Sequence, residues 1–115
     1  MAEGLIDLAE MGFPGFQLEV FHVETLGDWL NEGARLVRHR SHDLGLMVSQ
    51  FVAHFMMQDF NRPESLNSDS DMDHIRSVLD IVGLFEECAT LTIPLGPFEG
   101  GRTPTTNDYK SYYDR

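Results

Sequence analysis

Lysine is nearly absent from this chain of 115 residues: Lys110 is the only one, against seven arginines, and residues 1 to 34 contain neither cation while holding seven acids. Cysteine is as scarce, with Cys88 alone, so no intramolecular disulfide can form and a reducing, cytoplasmic setting is the expectation. Long apolar runs are missing too. The most apolar stretch, Leu44 to Met57, is interrupted by Ser49, Gln50 and His54, which makes it too short and too polar to span a bilayer. The first residues, MAEGLIDLAEMGF, place Glu3, Asp7 and Glu10 where a secretory signal needs positive charge and then a continuous apolar segment. Together these absences exclude a disulfide scaffold and argue against a membrane span.

The charge that is present is acidic, with nineteen Asp and Glu against eight Lys and Arg for a formal net −11. Phosphate backbones and anionic membranes attract the opposite balance, so the expected partner is another protein, such as a nucleic-acid-binding one, with no direct nucleic acid and no membrane. Hydrophobic residues make up 42% and include eight Phe, enough for a core in a domain of this length. The expected organisation is one compact domain over residues 1–96, followed by a polar, Tyr-containing tail over 97–115 that is mobile when alone.

Along the chain, Leu5, Ile6, Leu8 and Met11 suit a short amphipathic helix that Gly12, Pro14 and Gly15 end. Residues 16–23 are aromatic and β-branched and predict a strand. Thr25 and Asp28 resemble a capping box, and Leu26, Trp29, Leu30, Gly33 and Val37 then repeat at helical spacing to about residue 40. Residues 43–60 are apolar around most of a helical projection, with a polar stripe of Gln50, His54 and Gln58, which predicts the central buried helix. A loop through Pro63 leads to a helix from Ser70 or Asp71 to about Cys88, striped by Met72, Ile75, Val78, Leu79, Val82 and Phe85. Leu91, Ile93 and Leu95 alternate with Thr90, Thr92 and Pro94 as a short strand. The expected fold is α+β and helix-dominated: three to four helices with a small two-stranded antiparallel pair formed by 16–23 and 90–95.

Two segments carry candidate partner-binding residues. Arg35, Arg38, His39, Arg40 and His42 form a basic window in an otherwise acidic chain, and arginine forks suit carboxylates or phosphates. Cations near a helix C-terminus also offset the helix dipole, and Glu32 can pair with Arg35, so part of the window is structural. Three arginines within six residues exceed what a helix end needs. Asp69, Asp71 and Asp73 form an acidic run that resembles a calcium loop on paper, but His74 occupies the place of the required Gly and Asp80 that of the bidentate Glu. An acidic first turn of a helix accounts for it better.

His42-Asp43 resembles the doublet of metal-dependent phosphohydrolases, a likeness of one dipeptide that names no further ligand. No Gly-rich phosphate loop, G-x-S-x-G or C-x-x-C occurs, so no catalytic residue, cofactor or metal is expected. The leading function is a non-enzymatic acidic protein-binding module. Small acidic phage proteins that inhibit host nucleic-acid machinery, including anti-CRISPR proteins and DNA mimics, are similar in size and charge, without a shared motif. A structural or assembly subunit of a larger complex or virion is one alternative. A small histidine-dependent enzyme is the other, and it requires at least two of His22, His39, His42 and His54 to converge on a cavity.

Overall fold

The computed structural model describes residues 2–59 and 69–94, with isolated positions at 103, 105–107 and 110. The expected tail, 97–115, falls almost wholly outside them. In chain order the elements are α1 (Ala2–Glu10), β1 (Gly15–Glu19), a 3-10 turn (Val23–Thr25), α2 (Leu26–Asp28), a π turn (Trp29–Gly33), α3 (Ala34–Asp43), β2 (Met47–Val52), α4 (Met56–Asp59), α5 (Asp69–Val82) and β3 (Leu91–Thr92).

The antiparallel pair expected from the sequence is not formed. The three strands make one parallel sheet in the order β1-β2-β3, and the central strand comes from inside the segment expected to be the buried helix 43–60. The physical cause is Gly45. Its φ of +67° closes α3 in a Schellman turn, where the Gly45 N–H donates to the His42 carbonyl (3.0 Å) and the Leu46 N–H to the Ser41 carbonyl (2.9 Å). A side chain at that φ is disfavoured, so the helix stops there and Met47–Val52 extends as strand. With β2 between them, β1 and β3 cannot pair with each other. A helical crossover separates each neighbouring pair of strands, and that connection yields parallel pairing.

The same device ends α1. Gly12, at φ +81°, donates to the Ala9 carbonyl (3.0 Å), and Phe13 donates to that of Leu8 (3.1 Å). The chain then enters β1 beside β2, where Gly15 lies opposite Met47 so closely that a Cβ would sit 2.5 Å from the Met47 carbonyl oxygen. Register is Phe16 with Val48, then Leu18 with Phe51, with Ser49 as the extra residue of a bulge; its hydroxyl donates to the Phe16 carbonyl (3.1 Å).

Between β1 and β2 the helical phase slips once. The π turn widens the helix so that Ala34 donates back to Trp29, and Trp29 is followed in the core by Ala34, Val37 and Ser41. Leu30, expected on the buried stripe, turns out to solvent at 37% exposure. Trp29 meets Phe51 edge to face at 6.1 Å, which fixes the sheet face that the helices cover. Leu18, Val48 and Phe51 from the sheet, Leu5 from α1, and Val78 and Ile81 from α5 complete this core. α5 packs against the Trp29–Gly33 turn, so both crossovers lie on one side of the sheet. The opposite face carries Gln17 and Gln50, joined by a hydrogen bond of 2.8 Å, with Glu19 accepting a further bond from Gln17. The helices and the parallel sheet form two layers, and the second face of the sheet is polar at Gln17, Glu19 and Gln50 and apolar at the buried Val52, where such sheets usually carry a second layer of helices. No helix among the described residues is long and apolar enough to cross a membrane.

Candidate functional site

α3 presents its buried stripe, Ala34, Val37 and Ser41, to the core and holds Ser41 by a bond from its hydroxyl to the Arg38 carbonyl (3.0 Å). One flank of the same helix carries Arg35, Arg38, His39 and His42, which are spaced i, i+3, i+4 and i+7 and therefore share a face. This face forms one wall of an open groove of about 1070 Å³. Leu84, Glu86 and Glu87 line it from across, in the segment after α5, and Gly45, Leu46 and Met47 line it where α3 turns into β2.

The electrostatics of the groove are unequal along its length. Arg38 is engaged by Glu86 at 3.6 Å, an exposed pair of small energetic weight. Glu87 is tied to β2, its Oε1 accepting from the Val48 N–H at 3.4 Å. His39 lies 3.2 Å from Asp43 on its own helix. Arg35 donates to the Asn31 carbonyl (3.1 Å) and meets no carboxylate among the described residues; His42 has no ion-pair partner among them either. Arg35 is thus the guanidinium of this wall left to a ligand, with the His42 imidazole at the other end and a centre that is already paired.

The structure brings together four of the five residues of the basic window and leaves out Arg40. A 100° step per residue puts Arg40 on the opposite flank of α3, half-buried and without an ion pair among the described residues. Asp73 is on α5, exposed and bonded to Arg76 at 2.6 Å, away from the groove. The side chains of Asp69 and Asp71 lie outside the described residues. What the sequence does not reveal is the opposite wall: Glu86 and Glu87 are more than forty residues from α3 in the chain, and only the β2-α5-β3 crossover brings them across from it.

The histidines divide by location. His39 and His42 share the groove through their helical spacing, a proximity any helix gives at i and i+3. His54 stacks on Phe21 at 4.6 Å, and His22 lies 3.7 Å from Glu24; both belong to the carboxyl ends of the strands. Ligands of open parallel sheets bind outside those carboxyl ends, whereas the groove here opens at the amino end of β2 beside Met47. No cluster of three or more His, Cys, Asp or Glu able to hold a metal occurs among the described residues. In comparisons with known proteins, the chain matches no protein-family model, no curated protein and no solved structure.

Proposed function

We propose that the chain is a non-enzymatic protein-binding module that takes a carboxylate-bearing segment of another protein into the groove beside α3, in a reducing, cytoplasmic compartment. The observation that supports this reading is the alignment of Arg35, Arg38, His39 and His42 along one wall of a groove in a molecule of net charge −11. Isolated cations on an acidic protein attract an acidic ligand only where several act together. Here two guanidiniums and two imidazoles share a face, and Arg35 lacks a carboxylate partner among the described residues. A groove of about 1070 Å³ has room for several side chains of a protein segment.

The test compares wild type with Arg35→Gln/Arg38→Gln and with Arg40→Gln, each immobilised and exposed to a lysate of the native host at low and moderate salt. Proteins retained by wild type should be lost from the double variant, with affinity reduced about tenfold or more, equivalent to ~1.4 kcal/mol. Arg40→Gln, on the other flank, should retain them. Equal retention by all three would remove the groove from the account. If duplex DNA added as competitor strips the bound proteins from wild type, the acidic surface acts as a nucleic-acid mimic and the groove is not the site. Arg38→Gln costs about 0–1 kcal/mol of stability, since its pair with Glu86 is exposed, and circular dichroism of the double variant separates lost binding from lost folding.

A further inference from the structure

The two walls of the groove are tied to each other. Its lining holds two guanidiniums, Arg35 and Arg38, and three carboxylates, Asp43, Glu86 and Glu87, so with neutral imidazoles its formal charge is negative. A surface of that balance does not draw an acid by its overall field, and what it offers depends on which carboxylate each cation already holds. Glu86 is the one that reaches across. It lies in the segment after α5, and its Oε1 stands 3.6 Å from Nη2 of Arg38 on α3. Asp43 is engaged within α3, 3.2 Å from His39. Glu87 accepts from the Val48 N–H and meets no cation among the described residues.

Glu86 therefore holds the position that an incoming carboxylate needs. An acid that enters between α3 and the segment after α5 meets, at Arg38, a guanidinium already in contact with an oxygen of its own chemistry. That contact is weak enough to exchange. The two side chains are 54% and 88% exposed, and an ion pair so wet shifts an equilibrium by no more than about fivefold. Arg35, one turn earlier on the same face, meets no carboxylate among the described residues and is the guanidinium that an acid reaches without displacing anything.

We infer that Glu86 is an internal stand-in for the ligand, holding Arg38 until a carboxylate of the partner segment displaces it. The inference rests on the groove being an acid-binding surface and adds what regulates it. An acidic segment engages Arg35 first and then exchanges with Glu86 at Arg38. The Glu86 carboxylate turns to solvent as the new one arrives, so Arg38 keeps one carboxylate contact throughout and the exchange costs little. A segment with a single acid gains nothing at Arg38 over the contact already there. One with several acids can hold Arg35 and Arg38 together, and the stand-in thereby sets a threshold that selects strongly acidic segments.

Fluorescence anisotropy of a labelled hexaglutamate peptide, titrated with the full chain at about 0.1 M salt, where the screening length is about 10 Å, is the measurement. Glu86→Gln should bind the peptide about two- to fivefold more tightly than wild type. Glu87→Gln removes the same charge from the same groove without freeing an arginine, and should tighten binding clearly less. On an Arg38→Gln background, adding Glu86→Gln should do no more than Glu87→Gln does; circular dichroism establishes that every variant is folded. Equal gains from Glu86→Gln and Glu87→Gln overturn the inference, since charge alone then accounts for them. So does a gain from Glu86→Gln that persists without Arg38. If Arg35→Gln/Arg38→Gln releases the peptide while Glu86→Gln fails to tighten it, the stand-in falls and the groove stands. A peptide that binds neither wild type nor Glu86→Gln removes both.

Discussion

Replacing three glycines by alanine, one at a time, separates the strand β2 from the helix that the sequence suggested, because the two structures demand opposite signs at Gly45. In the observed fold Gly45 sits at φ +67° with nothing within 4 Å of where a Cβ would lie, so the cost is conformational and not steric. A left-handed backbone costs an L-residue about 1–2 kcal/mol, and the smaller entropy of the unfolded alanine chain returns about half of one, leaving a net loss near 1 kcal/mol. In a continuous helix over 43–60 the same change would stabilise by about 1 kcal/mol. Gly27 is the control. It lies exposed within α2, has no neighbour within 4 Å of a Cβ and no positive φ, so Gly27→Ala should gain about 0.5–1 kcal/mol. Gly15→Ala should be the worst of the three, since its Cβ would lie 2.5 Å from a backbone oxygen that belongs to the paired strand, a clash only a shift of β1 can relieve, at about 1–3 kcal/mol. Thermal unfolding followed by circular dichroism gives the order directly, since 1 kcal/mol moves the melting midpoint by about 4 °C in a domain of this size. A Gly45→Ala variant as stable as Gly27→Ala would refute the Schellman turn and, with it, the start of β2.

The remaining predictions concern the core and the thiol. Phe51 is fully buried, pairs in register with both Leu18 and Leu91 and touches Trp29, so Phe51→Ala should cost about 3–5 kcal/mol and leave the chain largely unfolded at 37 °C, visible as loss of the near-UV signal of Trp29. Cys88 is buried, with its sulfur 3.6 Å from the Thr90 carbonyl, so a thiol reagent should label it at least about a hundredfold more slowly in buffer than in concentrated guanidinium. Labelling at equal rates would show that the segment leading into β3 is not packed as described.

How much of this was legible depends on which physical signal each element sends. α1 and the helix of α2 and α3 announce themselves through periodicity bounded by Gly and Pro, and the structure keeps them, the latter slipped in phase by the π turn at Trp29–Gly33 that no periodic count can register; β1 forms but ends at Glu19, short of the strand expected over 16–23. β2 was hidden because Met47–Val52 lies within a longer apolar stretch, and a strand whose neighbours are also apolar reads like a buried helix. Two signals held the answer. Gly45 stands just past the last buried position of α3, and Val48, Phe51 and Val52 are the β-branched and aromatic types that strands favour. Of the site, the helical spacing of Arg35, Arg38, His39 and His42 was written in the sequence and separates them from Arg40. Glu86, Glu87 and Leu84 were not, since nothing local records which element a crossover will set opposite α3.

The two rims of the sheet differ in length, and that difference bears on aggregation. β3 has only two paired residues, an edge too short to template another chain. β1 is the longer rim, five residues over Gly15–Glu19, and its polar face holds Gln17 and Glu19 beside Gln50. A carboxylate on an edge strand repels an identical strand laid against it. Glu19 therefore guards the one described rim of this sheet long enough to start a fibril, and an acidic surface that looks like excess charge in the composition protects the fold's weakest border.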